Sequence, residues 1–356
     1  MRVSAGLPTG MEGLTYPIPF SDPENVIRIA QAAEKFGYDS VWGNDHMTTQ
    51  NYVRAEFPVP PRFWEPLVTY AFVLSETKTI KVGTGVIVLP MRHDIVVLAK
   101  QVATLDHFGK GRLELGLGIG AYREEFKALQ PDSKLDRGDI VDEGLQALKL
   151  LYSQRVASFD GRYYKFKDVE LFPKPLQKKL PIHVGGNNFN NITRAVKWGD
   201  GWLPSGIHVD RVRAGVKMLK EEADKAGRDW REIEVCPQFV VHVGSTHEQA
   251  VENFRKSQMN KHLVSLQKST LKGQGTATHE EINLIGTPAE IVEKAQAFKE
   301  AGVTHLLGLY FAAMGQGRTR TPNEIGRMAK DAGFASIKVV ATRNPVVSGM
   351  LQLTKP

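Results

Sequence analysis

Asp45-His46 is the first pair along the chain whose residue types suit proton transfer. An imidazole titrates near neutral pH, and an adjoining carboxylate can orient the ring and raise its basicity. The same dipeptide in an ordinary loop would only hydrogen-bond the backbone. Further on, Gly116-Leu117-Gly118-Ile119-Gly120 lets backbone approach a flat or anionic ligand closely. Its spacing is not the dinucleotide fingerprint, and tight turning accounts for the glycines equally well. In Val184-Gly185-Gly186-Asn187-Asn188-Phe189-Asn190-Asn191 a strand passes into a helix, so backbone N–H groups and amide side chains converge where a phosphate would sit. A glycine turn with an Asn cap is the plainer reading of those residues.

Other chemistries lack their residues. No His-x-His, His-Glu-x-x-His or carboxylate cluster at metal spacing occurs, so no metal is expected, and serine nucleophile elbows are absent. The single cysteine, Cys236, excludes an internal disulfide framework; lying in the apolar run Val235 to Val241, it reads as a buried small hydrophobe. His183 within a strand and His107 on a helix read as structural, whereas His93 and His208, near strand ends, stay open.

These candidates must be carried by regular elements, and one design recurs: an amphipathic helix, a glycine stop and a short apolar strand. Val26, Ile29, Ala30, Ala33 and Phe36 lead to Gly37 and Ser40-Val41-Trp42; Ile192, Ala195 and Val196 lead to Gly199 and Gly201-Trp202-Leu203; Ile291, Ala295 and Phe298 lead to Gly302 and a strand over Thr304–Tyr310. Ser21 to Glu24 and Thr287 to Glu290 read as capping boxes. With strands at Arg2–Leu7, Lys81–Leu89, Leu113–Leu117, Pro181–Gly185 and Glu234–Val241, eight strands alternate with helices, and their continuous apolar runs suit strands buried on both faces. The count predicts an α/β fold, a closed (β/α)8 TIM barrel, over an open doubly wound sheet.

Segments near 47–64, 156–173 and 261–283 interrupt the alternation, the second reading as a hairpin and the others as lids over the C-terminal mouth, beside Asp45-His46. The 356 residues allow two domains at about 150 residues each, but no linker separates two cores, so a single domain over 1–356 is expected. The formal net charge of +7 comes from interspersed charges without a basic block, which gives no reason to expect nucleic acid. No apolar run reaches the roughly 18 residues of a membrane span, and Met1-Arg2-Val3-Ser4-Ala5-Gly6 lacks a signal-peptide stretch, so a soluble cytoplasmic protein is expected.

Taken in order, several segments resemble the bacterial luciferase-like superfamily of flavin-dependent oxidoreductases. They are Asp39-Ser40-Val41-Trp42 with Asp45-His46, Val82 to Pro90, Leu98-Ala99-Lys100, Thr104-Leu105-Asp106 and Gly111 to Gly116. Glu124-Glu125-Phe126, Pro173-Lys174-Pro175, Gly185-Gly186 and Gly199-Asp200-Gly201-Trp202 complete the set. The superfamily fold is the same barrel. The resemblance implies that His46 lies near the flavin and assists proton transfer, and that Gly85–Val86 is a non-prolyl cis peptide behind the flavin ring. It also implies that Gly118, Gly120 and Tyr122 flank the cofactor, that Gly185, Gly186, Asn187 and Asn188 hold its phosphate, and that the segment from Lys261 closes over the site.

The activity so implied is a two-component FMN-dependent monooxygenase, supplied by a separate flavin reductase and using dioxygen on a small organic substrate, with Asp45 steering His46. Deazaflavin (coenzyme F-420) hydride transfer is the alternative, and a non-catalytic flavin-binding protein is an alternative of another class. A homodimer is implied as well. Ala121 lies where deazaflavin sugar-phosphate dehydrogenases carry a catalytic acid and Gln50 where they carry an aromatic, so the resemblance does not extend to that activity.

Overall fold

The structure, a computed structural model, describes residues 1–16, 18–131, 136–267, 271, 277–311, 336–340 and 350–354. Parts of the third interruption, 268–270 and 272–276, lie outside the described residues.

Eight parallel strands form the barrel where the apolar runs predicted them. They are β1 (Arg2–Gly6), β2 (Ser40–Gly43), β3 (Lys81–Thr84), β4 (Leu113–Gly118), β5 (Ile182–Gly185), β6 (Gly201–Leu203), β7 (Gln238–Val243) and β8 (His305–Phe311). Neighbours in sequence pair in register from β1 to β6, and β8 pairs with both β7 and β1. The ring closes through Glu234–Val235, which pairs with β6 just before β7, and through Gln238, whose N–H and carbonyl bond Pro204 and Gly206 at 2.8 Å each. Cys236 and Pro237 break that strand in two; Cys236 is fully buried, as expected of a small hydrophobe.

Helices sheathe the ring, running from α1 to α11 in chain order among the described residues. Val26, Ala30 and Ala33 of α1 (Pro23–Lys35) face the strands, and the main apolar core runs between strands and helices around the circle. Asp22, not Ser21, caps α1, accepting from the Asn25 N–H at 2.7 Å, so the expected Ser21–Glu24 box does not form. The proline at the first helical position leaves Asp22 at the cap, where its carboxylate reaches the free N–H groups. The Thr287–Glu290 box does form, at the start of the helix Pro288–Glu300.

The first interruption folds into α2 (Asn51–Glu56) before α3 (Pro66–Ser75), and the third opens as α10 (Gln258–Leu266). Met259, Leu263 and Leu266 of α10 join Met11, Leu14, Val240, Phe254 and Ile285 in a second apolar cluster. The 156–173 segment is the expected hairpin, Ala157–Asp160 against Lys165–Val169. It does not cover the mouth: its turn is tied to Glu143 of the helix Arg137–Ser153, so it lies along the outer wall. Strands Ser336–Val340 and Met350–Thr354 pair antiparallel. Among the described residues no helix is long and apolar enough to cross a membrane.

The base of the barrel, where the strands begin, is filled by polar groups around Trp42. The indole Nε1 donates to Ser40 Oγ (2.8 Å), Ser40 Oγ lies 2.6 Å from Ser4 Oγ, and Ser4 Oγ lies 2.6 Å from His305 Nε2. His183 Nε2 and His305 Nδ1 approach Glu234 at 3.0 and 3.4 Å. Arg2 spans Glu234 (2.8 Å) and the buried Glu114 (2.5 Å), and Lys81 adds a second cation to Glu114 at 3.0 Å. Burial opposes ionisation of Glu234, yet the two imidazoles outweigh it and hold its carboxyl below the usual range. Glu114, Glu234 and His305 place three ligand-type atoms within 4.8 Å of one another, a grouping invisible to spacing along the chain. Arg2 and Lys81 already neutralise the two carboxylates, so the group is an ion network. His183 is structural, as expected, and so is His107, whose Nε2 lies 2.8 Å from the Lys174 carbonyl.

Candidate active site

At the other end of the ring, β2 runs out into Asp45 and His46, and the two part company. Asp45 is buried; its carboxylate accepts from the Val88 N–H and from Arg92, both at 2.9 Å. Burial pushes its pKa up against the pull of those partners. The expected steering of His46 by Asp45 is therefore not what the structure builds: Asp45 ties the end of β2 to the Ile87–Val88 segment beyond β3.

His46 is oriented by residues that sequence reasoning missed. Its Nδ1 lies 3.1 and 3.2 Å from the two carboxylate oxygens of Glu125, on α5 (Arg123–Leu129), and 2.7 Å from Gln50 Nε2. The two partners favour opposite tautomers. A carboxylate accepts from Nδ1–H and leaves a lone pair on Nε2, whereas an amide N–H donates to Nδ1 and leaves a proton on Nε2. Nε2 itself has no partner among the described residues and is not buried, so either form is presented to the mouth. A side chain at Gly10 would meet His46 Cδ2 at 2.8 Å, so the ring needs a glycine beneath it. Gln50 stands four residues after His46 at the cap of α2, and Glu125 lies within the Glu124-Glu125-Phe126 motif; these are the available signals.

Aromatic rings enclose the imidazole. Phe63 lies 5.3 Å and Tyr122 6.4 Å from it between ring centres. Tyr122 and Tyr52 converge with His262 of α10, their hydroxyls 3.1 and 2.5 Å from His262 Nδ1. Nothing along the sequence singles out His262. It follows Met259 by three residues and precedes Leu266 by four, on the buried stripe of its helix, where a histidine reads as core.

The expected cofactor residues form a shelf at the ends of β3, β4 and β5. The peptide Gly85–Val86 is cis. Val86 stands between Gly118 and Gly185, where a Cβ would meet its methyls at 2.9 and 2.6 Å. Gly120 adopts a φ of 73° against Val88. Gly186, at φ 129°, bonds its N–H to the Leu203 carbonyl at 3.0 Å. The Asn187 amide does not face a ligand: it latches Ser205, donating to its carbonyl (2.6 Å) and accepting from its N–H (2.7 Å). The Asn188 side chain accepts from the Asn190 N–H. Two of the expected phosphate amides are thus spent on the loop's own shape. What remains is backbone: no described group accepts from the N–H groups of Asn187, Asn188 or Phe189. They stand at the start of α7 (Asn190–Trp198), which has no side-chain cap, with the Arg211 guanidinium 5.1 Å from the Phe189 ring centre. That donor set suits a phosphate. His208 caps the helix Val209–Lys225, and His93 Nδ1 lies 3.1 Å from Gln130 Nε2, so neither joins the site.

Known proteins resemble this chain in sequence and fold. An uncharacterized protein of Mycobacterium tuberculosis is 34% identical over 174 residues, 47% of this chain, and the chain spans 59% of that relative's length. The F420-dependent glucose-6-phosphate dehydrogenase of Kineococcus radiotolerans is 26% identical over 84% of this chain and 89% of its own. The FMNH(2)-dependent dimethylsulfone monooxygenase of Pseudomonas putida is 27% identical over 79% and 81%. Among solved structures, an F420-dependent secondary alcohol dehydrogenase superposes with a TM-score of 0.71 at 21% identity, covering 86% of this chain and 92% of its own. The luciferase-like monooxygenase family model matches residues 1–305, and with the barrel and mouth described above, the chain belongs to that family.

Proposed function

We propose that this protein is an oxidoreductase that binds FMN or the deazaflavin F420 at the barrel mouth and acts on a small organic substrate, with hydride exchange with F420 as its reaction. The observation that carries the reading is the His46 imidazole, backed on Nδ1 by both Glu125 and Gln50 with Nε2 open to the mouth. Interconverting an alcohol and a carbonyl requires one group that takes the hydroxyl proton in one direction and returns it in the other. His46 does both at Nε2: with its proton on Nδ1 toward Glu125 the neutral ring takes the hydroxyl proton and becomes an imidazolium, which returns that proton in the reverse direction, while Gln50 helps fix the ring plane. The Gly85–Val86 shelf and the N–H groups of Asn187 to Phe189 would hold the cofactor and its phosphate. When bound, the cofactor supplies or accepts the hydride. Relatives named for F420 and for FMNH(2) both support a redox reading of this site.

A two-component FMN-dependent monooxygenase, fed by a separate reductase, is the second reading. It is favoured by the closed aromatic surround of Phe63, Tyr52 and Tyr122 under α10, since oxygen transfer needs water kept out. Titrating the protein with F420 and an alcohol while following deazaflavin absorbance, and with reduced FMN while following substrate-dependent oxygen consumption, separates the two. His46→Ala is expected to lower turnover about 10²- to 10⁴-fold while cofactor affinity changes little. Cofactor binding without turnover on either donor would leave only a flavin-binding protein. We also propose the homodimer implied by the resemblance, with α3 at its interface: Val68 and Phe72, one turn apart, are each 62% exposed. Light scattering on the native chain tests it.

A further inference from the structure

Glu125 and Gln50 both hold His46 at Nδ1, and contacts at one atom leave the far edge of the ring to be set by something else. The connection between β1 and α1 supplies it. Thr9 is buried there and exchanges two hydrogen bonds with the backbone of Asn44: its Oγ1 donates to the Asn44 carbonyl at 3.0 Å and accepts from the Asn44 N–H at 2.7 Å. Asn44 precedes His46 by two residues, so one hydroxyl fixes the path of the backbone into the imidazole. Gly43 makes room for it, since a Cβ there would meet Thr9 Oγ1 at 2.5 Å. Gly10, next along the connection, lies under the ring. A Cβ there would meet His46 Cδ2 at 2.8 Å and Nε2 at 3.7 Å, so a bare backbone keeps the proton-exchanging edge clear.

Glu12 reaches the other face. Its enclosed carboxylate accepts from the N–H groups of Phe20 (2.7 Å), Ser21 (2.8 Å) and Arg62 (2.7 Å) and from the Arg62 guanidinium (2.7 Å). The first two bonds fold the connection back on itself, and the last two bring in the segment that leads to α3. The Trp64 N–H donates to the Thr9 carbonyl at 2.8 Å, so bonds to Glu12 and Thr9 bracket Phe63, whose ring centre lies 5.3 Å from that of the imidazole. Met11, between them, is anchored in the second apolar cluster. The backbone before His46, the floor beneath it and the aromatic ring beside it therefore all take their positions from the stretch Thr9 to Glu12.

Resting on the redox reading above, we propose that Thr9 and Glu12 are positioning residues for proton transfer at His46: Thr9 sets its backbone, Glu12 sets Phe63 against it through Arg62, and together they aim Nε2 into the mouth. Such aim matters because a misplacement of about 1 Å costs on the order of 10²-fold in rate.

The test uses the full-length protein labelled with 15N in its histidine rings, the His46 signals being identified by their loss in His46→Gln. Ring 15N shifts report which nitrogen carries the proton, and that is set by the bonds the ring makes. Gly10→Ala, whose methyl meets the ring, calibrates the signal of a displaced imidazole. Thr9→Val and Glu12→Gln are expected to move the His46 shifts, and Thr9→Ser, which keeps the hydroxyl, to restore those of the parent. Turnover per folded molecule should fall about 10- to 100-fold in Thr9→Val, with KM changed by less than about twofold. A purely structural role would lower the urea midpoint and leave the ring shifts and the turnover per folded molecule as in the parent. That result, or a Thr9→Ser variant that behaves like Thr9→Val, would overturn the assignment. Should Thr9→Val fail to fold, the ring shifts of Glu12→Gln decide in the same way. Shifts that move as expected, with no turnover on F420 or FMN, would remove the redox reading and leave Thr9 and Glu12 as the residues that set His46. Turnover with unmoved shifts would remove this assignment alone.

Discussion

Both ends of the barrel set imidazoles against carboxylates, and they differ in what surrounds the pair. At the base, Glu234 meets His183, His305 and Arg2, and Glu114 meets Arg2 and Lys81, so each negative charge has a cation and the histidines face Trp42, 5.4 and 5.9 Å away between ring centres. At the mouth, Glu125 and Gln50 hold one nitrogen of His46 and leave the other open. The same residue types thus serve cohesion where charge is balanced and enclosed, and proton transfer where one nitrogen is withheld from the network. That division follows the barrel: strand beginnings converge on a packed plug, strand ends release loops.

The largest effect that would break the comparison is at the base. Arg2→Met strips Glu114 and Glu234 of their shared cation, and leaving enclosed carboxylates short of a partner costs about 3–5 kcal/mol. Urea unfolding should show that loss, with turnover per folded molecule unchanged. A fall in turnover at full stability would mean that the two ends are coupled. Next, Glu125→Gln at the mouth should lower turnover about 10- to 100-fold, the worth of a hydrogen bond to a charged group, while stability moves by less than about 1 kcal/mol. The reverse pattern would make Glu125 a structural residue.

Acid should sharpen the contrast at the rim. Burial works to raise the Glu12 carboxyl, but Arg62 and the N–H groups of Phe20, Arg62 and Ser21 outweigh it and hold its pKa at about 2, against an ordinary 4.5. A carboxyl depressed on folding contributes stability that is complete above about pH 4.5 and fades as pH falls toward 2. Glu12→Gln should therefore be less stable than the parent at pH 6, and the two unfolding curves should converge near pH 2; a constant gap would show that ionisation of Glu12 is not what stabilises the rim. The smallest effect belongs to neither end. Asp160→Asn removes an exposed, solvent-screened partner of Lys165 and should leave the midpoint of the same urea assay unchanged.

Much of this was legible along the chain because it is local. Helix stripes, glycine stops and apolar strands depend on residues within a turn or two of each other, so all eight strands and the Thr287–Glu290 box were readable. Ser21 misled because two adjacent residues could both cap, and the early proline favours the aspartate. Asp45 misleads for a related reason: adjacency in sequence is not contact, because consecutive residues leaving a strand point to different sides, and Asp45 meets Arg92 while His46 meets Glu125. Asn187 looked like a ligand residue and is a latch, since an amide can satisfy both the N–H and the carbonyl of Ser205.

What the sequence determined alone is the barrel, its order and the strand end from which a histidine would emerge, since periodicity and turn chemistry act over a few residues. What only the tertiary structure decided is which groups touch that histidine. Gln50 is four residues away, Glu125 is 79, and His262 meets Tyr52 across 210. Folding the barrel brings the two long separations within hydrogen-bond reach, and no local pattern encodes a contact between residues so far apart along the chain.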